Sequence, residues 1–238
     1  MDCRRMWVGF VVLLLTGCGG TADLGFRGTI PAEYRYNVDA ALAPGKSVRF
    51  PDSRPFNVHD KLSAQTPGPR GEAQGAASAD ETGRAMCRAT AANGGTAWGR
   101  FQLGHCLDNR TGRVLLADVE IDVEYDVETR CAAQPTTDTN AADSPMSPHV
   151  EAKVTLRVLV KDSNEVVLRS VDLAVLNNDD GRLDQPGHET PRFTIELQPD
   201  LAYTVAVVAH VQVTTDAGAS AEAKVTIKRL AITLTGRS

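Results

Sequence analysis

Four side chains have the atoms for a metal site or a thiol catalyst: Cys87, His105, Cys106 and Cys131. Zinc sites gather their ligands through C-x-x-C steps and closely spaced histidines, and these four positions contain neither. A histidine can activate a neighbouring thiol, but adjacent residues of a strand point to opposite faces, so His105 and Cys106 do not form such a pair within one. The segment ADVEIDVEYDVE, residues 117–128, offers Asp118, Glu120, Asp122, Glu124, Asp126 and Glu128 to calcium or to a cationic partner. Side chains on one face of a strand recur every ~6.8 Å, too far apart for neighbours to share an ion without help from a loop. In LNNDDGRLD, residues 176–184, Asn178 and Asp180 precede Gly181 as in a calcium loop. Leu176 occupies the place of the first carboxylate, however, and the closing glutamate is missing, so Asp180-Gly181 reads as a turn. His59, His149, His188 and His210 are isolated, and no G-x-S-x-G, H-E-x-x-H or S-x-x-K motif occurs. The sequence predicts no catalytic residue, no metal site and no cofactor. Trp98 and Phe101, beside the turn Asn93-Gly94-Gly95-Thr96, are the candidate ligand contacts: either ring could stack on a sugar or close a core.

A second kind of chemistry sits at the amino terminus. Arg4 and Arg5 precede the apolar run Val8-Gly9-Phe10-Val11-Val12-Leu13-Leu14-Leu15. A membrane span takes about 20 apolar residues, so this run fits the hydrophobic region of a secretory signal instead. It ends in Leu15-Thr16-Gly17-Cys18, which resembles the lipobox of bacterial lipoproteins. The resemblance implies that residues 1–17 are removed, that Cys18 is acylated on sulfur, and that its new amino group is acylated too. Two or more acyl chains anchor a protein stably, at roughly 0.8 kcal/mol per buried CH₂. The implied membrane contact is therefore lipid, with palmitate-type chains, and residues 18–29 serve as a tether. An Asp after the cysteine would resemble an inner-membrane retention signal; Gly19 stands there, which favours the outer membrane.

Loss of residues 1–17 carries away Asp2, Arg4 and Arg5 and leaves the formal charge one unit more negative than the −5 of the whole chain. Mild acidity without a basic patch argues against nucleic acid. In an oxidising envelope, Cys87, Cys106 and Cys131 become disulfide candidates. One bridge and one free thiol are allowed, and spacing does not choose the pair. If Asn93–Thr96 turns a hairpin, Cys87 faces a residue near Gln102, which disfavours a bridge from Cys87 to Cys106.

The elements that must position these groups are strands. Val119, Ile121, Val123, Tyr125 and Val127 alternate with the carboxylates of residues 117–128, the period of a half-buried strand. Residues 150–161 answer with Lys153, Arg157 and Lys161 opposite an apolar face, which predicts that they pair beside the acidic strand. Residues 165–176 are apolar on both faces and read as a central strand or one covered by loops. Strands follow at 191–198, 202–214 and 221–234, and a change of apolar parity near Lys228-Arg229 predicts a bulge. Earlier strands lie at 34–38 and 47–50. Two tracts, at about 60–83 and 132–149, are rich in Ala, Ser, Pro and Gly and read as disordered loops.

The expectation is an all-β protein. Residues 30–238 should form an antiparallel β-sandwich of about ten strands, immunoglobulin-like or jelly-roll-like, with long flexible loops. Whether this is one enlarged sandwich or two domains stays open. Leu197-x-Pro199-x-x-x-Tyr203, followed by Val205 and Val207, resembles the corner between strands E and F of fibronectin type III and related immunoglobulin-like domains. The resemblance implies that the Tyr203 hydroxyl bonds backbone across the turn while its ring packs in the core. The functional expectation is a lipid-anchored, non-enzymatic binding or structural module facing an envelope protein or a glycan. The alternative is an envelope hydrolase of glycan or peptide, its site built from loops 51–83 and 132–149.

Overall fold

The computed structural model describes residues 30–39, 41–133 and 148–237. The implied signal, Cys18 and the tether lie outside the described residues, as does most of the 132–149 tract. After one 3-10 turn, Ala32–Tyr34, the chain runs through β1 (Tyr36–Asn37), β2 (Ser47–Phe50), β3 (Val58–Pro67), β4 (Glu72–Ala79), β5 (Ala85–Ala92), β6 (Gly95–Asp108) and β7 (Leu115–Ala133). It continues with β8 (Val150–Asp162), β9 (Val167–Asn178), β10 (Gly181–Glu189), β11 (Arg192–Leu197), β12 (Ala202–Thr215) and β13 (Ala219–Gly236).

These strands form two sheets packed as a sandwich. Sheet A runs β1-β6-β12-β8-β9, with β3 also on β6; sheet B runs β10-β7-β13-β5-β4, with β11 on β7 and β2 on β13. Alternation dictates the layering. Val119, Ile121, Val123 and Val127 of β7 and Val154, Leu156, Val158 and Val160 of β8 enter one core from opposite sheets. Phe50, Phe56, Phe101 and Tyr125 supply its largest rings. The core is continuous through both sheets, so the described strands make one enlarged sandwich.

Several expectations hold in detail. The register of β13 against β7 slips between Ile227 and Arg229, as the parity change demands. At the corner from β11 in sheet B to β12 in sheet A, the Tyr203 hydroxyl accepts a hydrogen bond from the backbone N–H of Gln198 at 2.7 Å, and its ring is buried. Tyr203→Phe keeps the ring and deletes the acceptor. A loss of about 1 kcal/mol is expected, read as a lower urea midpoint at unchanged m-value.

Other expectations are corrected. Residues 60–83 are not a disordered loop: most of them belong to β3 and β4. Composition misleads there because β4 runs where the two sheets converge. A Cβ on Gly75 would lie 2.4 Å from the Trp98 carbonyl oxygen and 2.7 Å from that of Ala64, so small residues are what the approach permits. Residues 93–96 do not turn a hairpin either, since β5 belongs to sheet B and β6 to sheet A. The acidic strand β7 does not pair with β8; its ladder partners are β13, β10 and β11. Finally, β9 is an edge strand of sheet A, not a central one. Its apolar pattern is doubled by two irregularities in its pairing with β8, each of which shifts parity, and Val167 and Val175 are left exposed.

Candidate functional site

The outward face of each sheet is a potential binding surface, and the two differ in kind. On sheet B the acidic row of β7 is occupied by cations of its own sheet. Arg237 reaches Asp118 at 3.4 Å, Arg192 reaches Glu120 at 2.7 Å, and Lys228 reaches Asp126 at 2.8 Å. Lys224 reaches Glu128 at 3.1 Å. Asp122 is shared by His188 at 2.7 Å, Arg229 at 3.3 Å and Arg49 at 3.4 Å. Burial pushes the Asp122 carboxyl up, but the hydrogen bonds from His188 and Arg49 and the charge of Arg229 outweigh it and hold it below the ordinary carboxylate range. Asp118, Glu120, Asp122, Asp126 and Glu128 are thus all held in ion pairs. Among the described residues, no group of three or more His, Cys, Asp or Glu side chains is arranged to hold a metal.

The three thiols are buried and free. Cys87 on β5 and Cys131 on β7 flank β13 on opposite sides and sit opposite Val225 and Ala221 respectively. Two strand spacings of about 4.8 Å already exceed the ~7 Å Cα limit for a bridge. Cys106 belongs to the other sheet and faces outward, under Ile30 with Val58 and Ala202. The expected disulfide therefore does not form among these three. Burial pushes the Cys87 and Cys106 thiols up and, helped by Asp179, Asp180 and Glu151, pushes Cys131 up to about 11. None is a nucleophile at neutral pH. His105 points inward, away from Cys106, into a pocket of Phe50, Tyr36 and Phe56 rings.

The outward face of sheet A is assembled by register. One row across the sheet is Leu62, Arg100, His210, Thr155 and Val175, in β3, β6, β12, β8 and β9. The row beside it is Ala64, Trp98, Gln212, Lys153 and Asn177. On the other side come Asp60, Gln102, Val208, Arg157 and Asp172. Five strands at ~4.8 Å and rows at ~6.8 Å give a surface about 19 Å wide. Across β6 and β12 the Arg100 guanidinium lies 5.2 Å from the Trp98 ring centroid, and the His210 ring meets Trp98 edge-on at 6.2 Å. The Trp98 ring is half-buried in this arrangement. Burial, and then the charge of Arg100, lower the His210 pKa and keep the ring neutral.

Of the two aromatic candidates, only Trp98 reaches this surface. Phe101 lies three residues further along the same strand, on the opposite parity, and is fully buried in the core; as a ligand contact it is corrected. Sequence reasoning missed Arg100 and Gln212. Their shared parity with Trp98 and His210 was visible, but which strands lie side by side was not.

No family model matches this chain, and no curated protein matches it. Among solved structures, it aligns with a family 11 carbohydrate-binding module from Clostridium thermocellum in complex with a β-1,3-1,4-mixed-linked tetrasaccharide. Identity is 12% over 82% of this chain and 98% of that one, with a TM-score of 0.24. The CBM22-1 xylan-binding domain of Paenibacillus barcinonensis Xyn10C aligns at 12% identity over 74% and 96% of the two chains, TM-score 0.18. The infectious bursal disease virus Gx strain aligns at 10% identity over 79% and 35%, TM-score 0.23.

Proposed function

We propose that this chain is a lipid-anchored bacterial envelope protein, a non-enzymatic binding module that presents the outward face of sheet A to a glycan. The anchor rests on the Leu15-Thr16-Gly17-Cys18 step, and mass spectrometry of the native amino-terminal peptide tests it: an acylated Cys18 is expected, and an intact leader would refute it. The binding reading rests on one observation, the half-buried Trp98 ring held between Arg100 and His210 on the outward face of sheet A. An indole ring offers an apolar face to sugar C–H groups, and the Gln212 amide beside it and the Arg100 guanidinium offer donors to hydroxyls. The competing hydrolase loses one of its two supporting loops, because residues 58–79 are mainly strand.

Removal of residues 1–17 takes Trp7 away and leaves Trp98 as the sole tryptophan, so intrinsic fluorescence reports on this surface alone. Titration with solubilised envelope polysaccharide is expected to shift its emission. Trp98→Ala is expected to weaken retention on the same polysaccharide about tenfold, equivalent to ~1.4 kcal/mol. Retention unchanged by that substitution would move the site elsewhere.

A further inference from the structure

We infer that the ligand of the sheet A face is an uncharged polysaccharide, held by stacking and neutral hydrogen bonds instead of ion pairing; the inference rests on the glycan reading above. It follows from how the face spends its charge. Lys153 is paired with Glu151 at 2.7 Å and Arg157 with Asp172 at 3.3 Å. Lys161, at the end of the same strand, is paired with Glu165. Arg100 lies against the Trp98 ring, with Asp60 one row away on the adjoining strand. Each of the three β8 cations thus already has a carboxylate partner.

A polyanion such as a uronate or phosphate polymer gains affinity by placing its charges on uncompensated cations and releasing counterions. Here it would have to displace Glu151, Asp172 and Glu165 first, and approach a chain of net charge −5. A polycation meets the converse obstacle in Lys153, Arg157 and Arg100. The remaining groups suit a hydroxyl-rich neutral chain. Gln212 carries both donor and acceptor, Thr155 adds a hydroxyl, and His210 is kept neutral by burial.

The test is native affinity electrophoresis of the mature lipidated protein in mild detergent. The gels contain either neutral glucans, mannans and xylans or a polyuronate, each run at low and at physiological salt. Retardation by at least one neutral polymer is expected, changing less than about twofold with salt and abolished by Trp98→Ala. Retardation by polyuronate alone, collapsing as salt rises, would overturn the neutral-ligand inference and leave the glycan reading standing. Retardation by none of the polymers, or retardation indifferent to Trp98→Ala, would overturn both.

Discussion

Gly75→Val is expected to lower the melting temperature by roughly 5–10 °C, corresponding to about 2–3 kcal/mol for a domain of this size. Both atoms that a Cβ at position 75 would strike are backbone carbonyl oxygens, of Trp98 and Ala64. Neither can rotate aside, so strands β3 and β6 of sheet A must part from β4 of sheet B. The Gly75 N–H also donates to the Gln65 side-chain oxygen at 3.2 Å, and that bond tightens the same junction. Since Trp98 contributes the contacted carbonyl, separation of the strands is also expected to blunt the fluorescence response of the Trp98 surface. Were residues 60–83 a disordered loop, the substitution would leave the melting temperature unchanged. That result would remove β4 from the sandwich.

The lesson of this segment is that strand-forming capacity was legible only where burial is one-sided. In β7 and β8 each strand sends one face into the core, so Val119 to Val127 and Val150 to Val160 alternate cleanly. The bulge in β13 was legible for the same reason, because a parity slip has no other economical cause. β4 has no such signature. Its inward residues are Ala73, Gly75, Ala77 and Ala79, which meet the core and neighbouring backbone at close range, so neither face carries the large apolar residues that mark a strand. In β9 the converse happened: irregular pairing with β8 threw apolar residues onto both faces and imitated a central strand.

Pairing was less legible than pattern. The carboxylates of β7 and the cations of β8 looked complementary, but β7 lies in sheet B and β8 in sheet A, so the two charged faces point outward on opposite sides of the sandwich. The true partners, Lys224, Lys228 and Arg229 of β13 with Arg192, Arg237 and Arg49, were present in sequence with no marker of adjacency. The corner around Tyr203 was legible because its chemistry is local, five residues from donor to acceptor. The Trp98 surface is the opposite case. Its members come from five strands and meet only through register, so sequence could supply one aromatic and its parity but not the row it joins.

A buried histidine gives the largest pH effect expected between pH 7 and pH 4. His105 is 2% exposed, its ring centroid lies 3.9 Å from that of Phe50, and Tyr36 and Phe56 close the remaining sides. Burial, reinforced by the nearby Arg54 charge, lowers its pKa from 6.5 to about 4, against smaller opposing contributions from backbone hydrogen bonds. The sign follows from proton counting. Between those two values the unfolded chain binds a proton at this position and the folded chain does not, so stability falls as pH drops from about 6.5 to about 4 and levels off below. The expected loss is about 3 kcal/mol across that interval. The depressed Asp80 and Asp122 carboxyls act lower, as pH falls below their ordinary value of 3.8, so the two effects separate on the pH axis. His210 shifts in the same direction as His105 and is removed independently by His210→Gln. Urea unfolding at intervals from pH 7 to pH 4 should therefore show a steep loss of stability in the parent and in His210→Gln, and a much flatter one in His105→Phe, whose ring suits the aromatic pocket. Parallel slopes in the parent and in His105→Phe would mean that His105 carries its proton in the folded state, and the aromatic pocket described around it would be wrong.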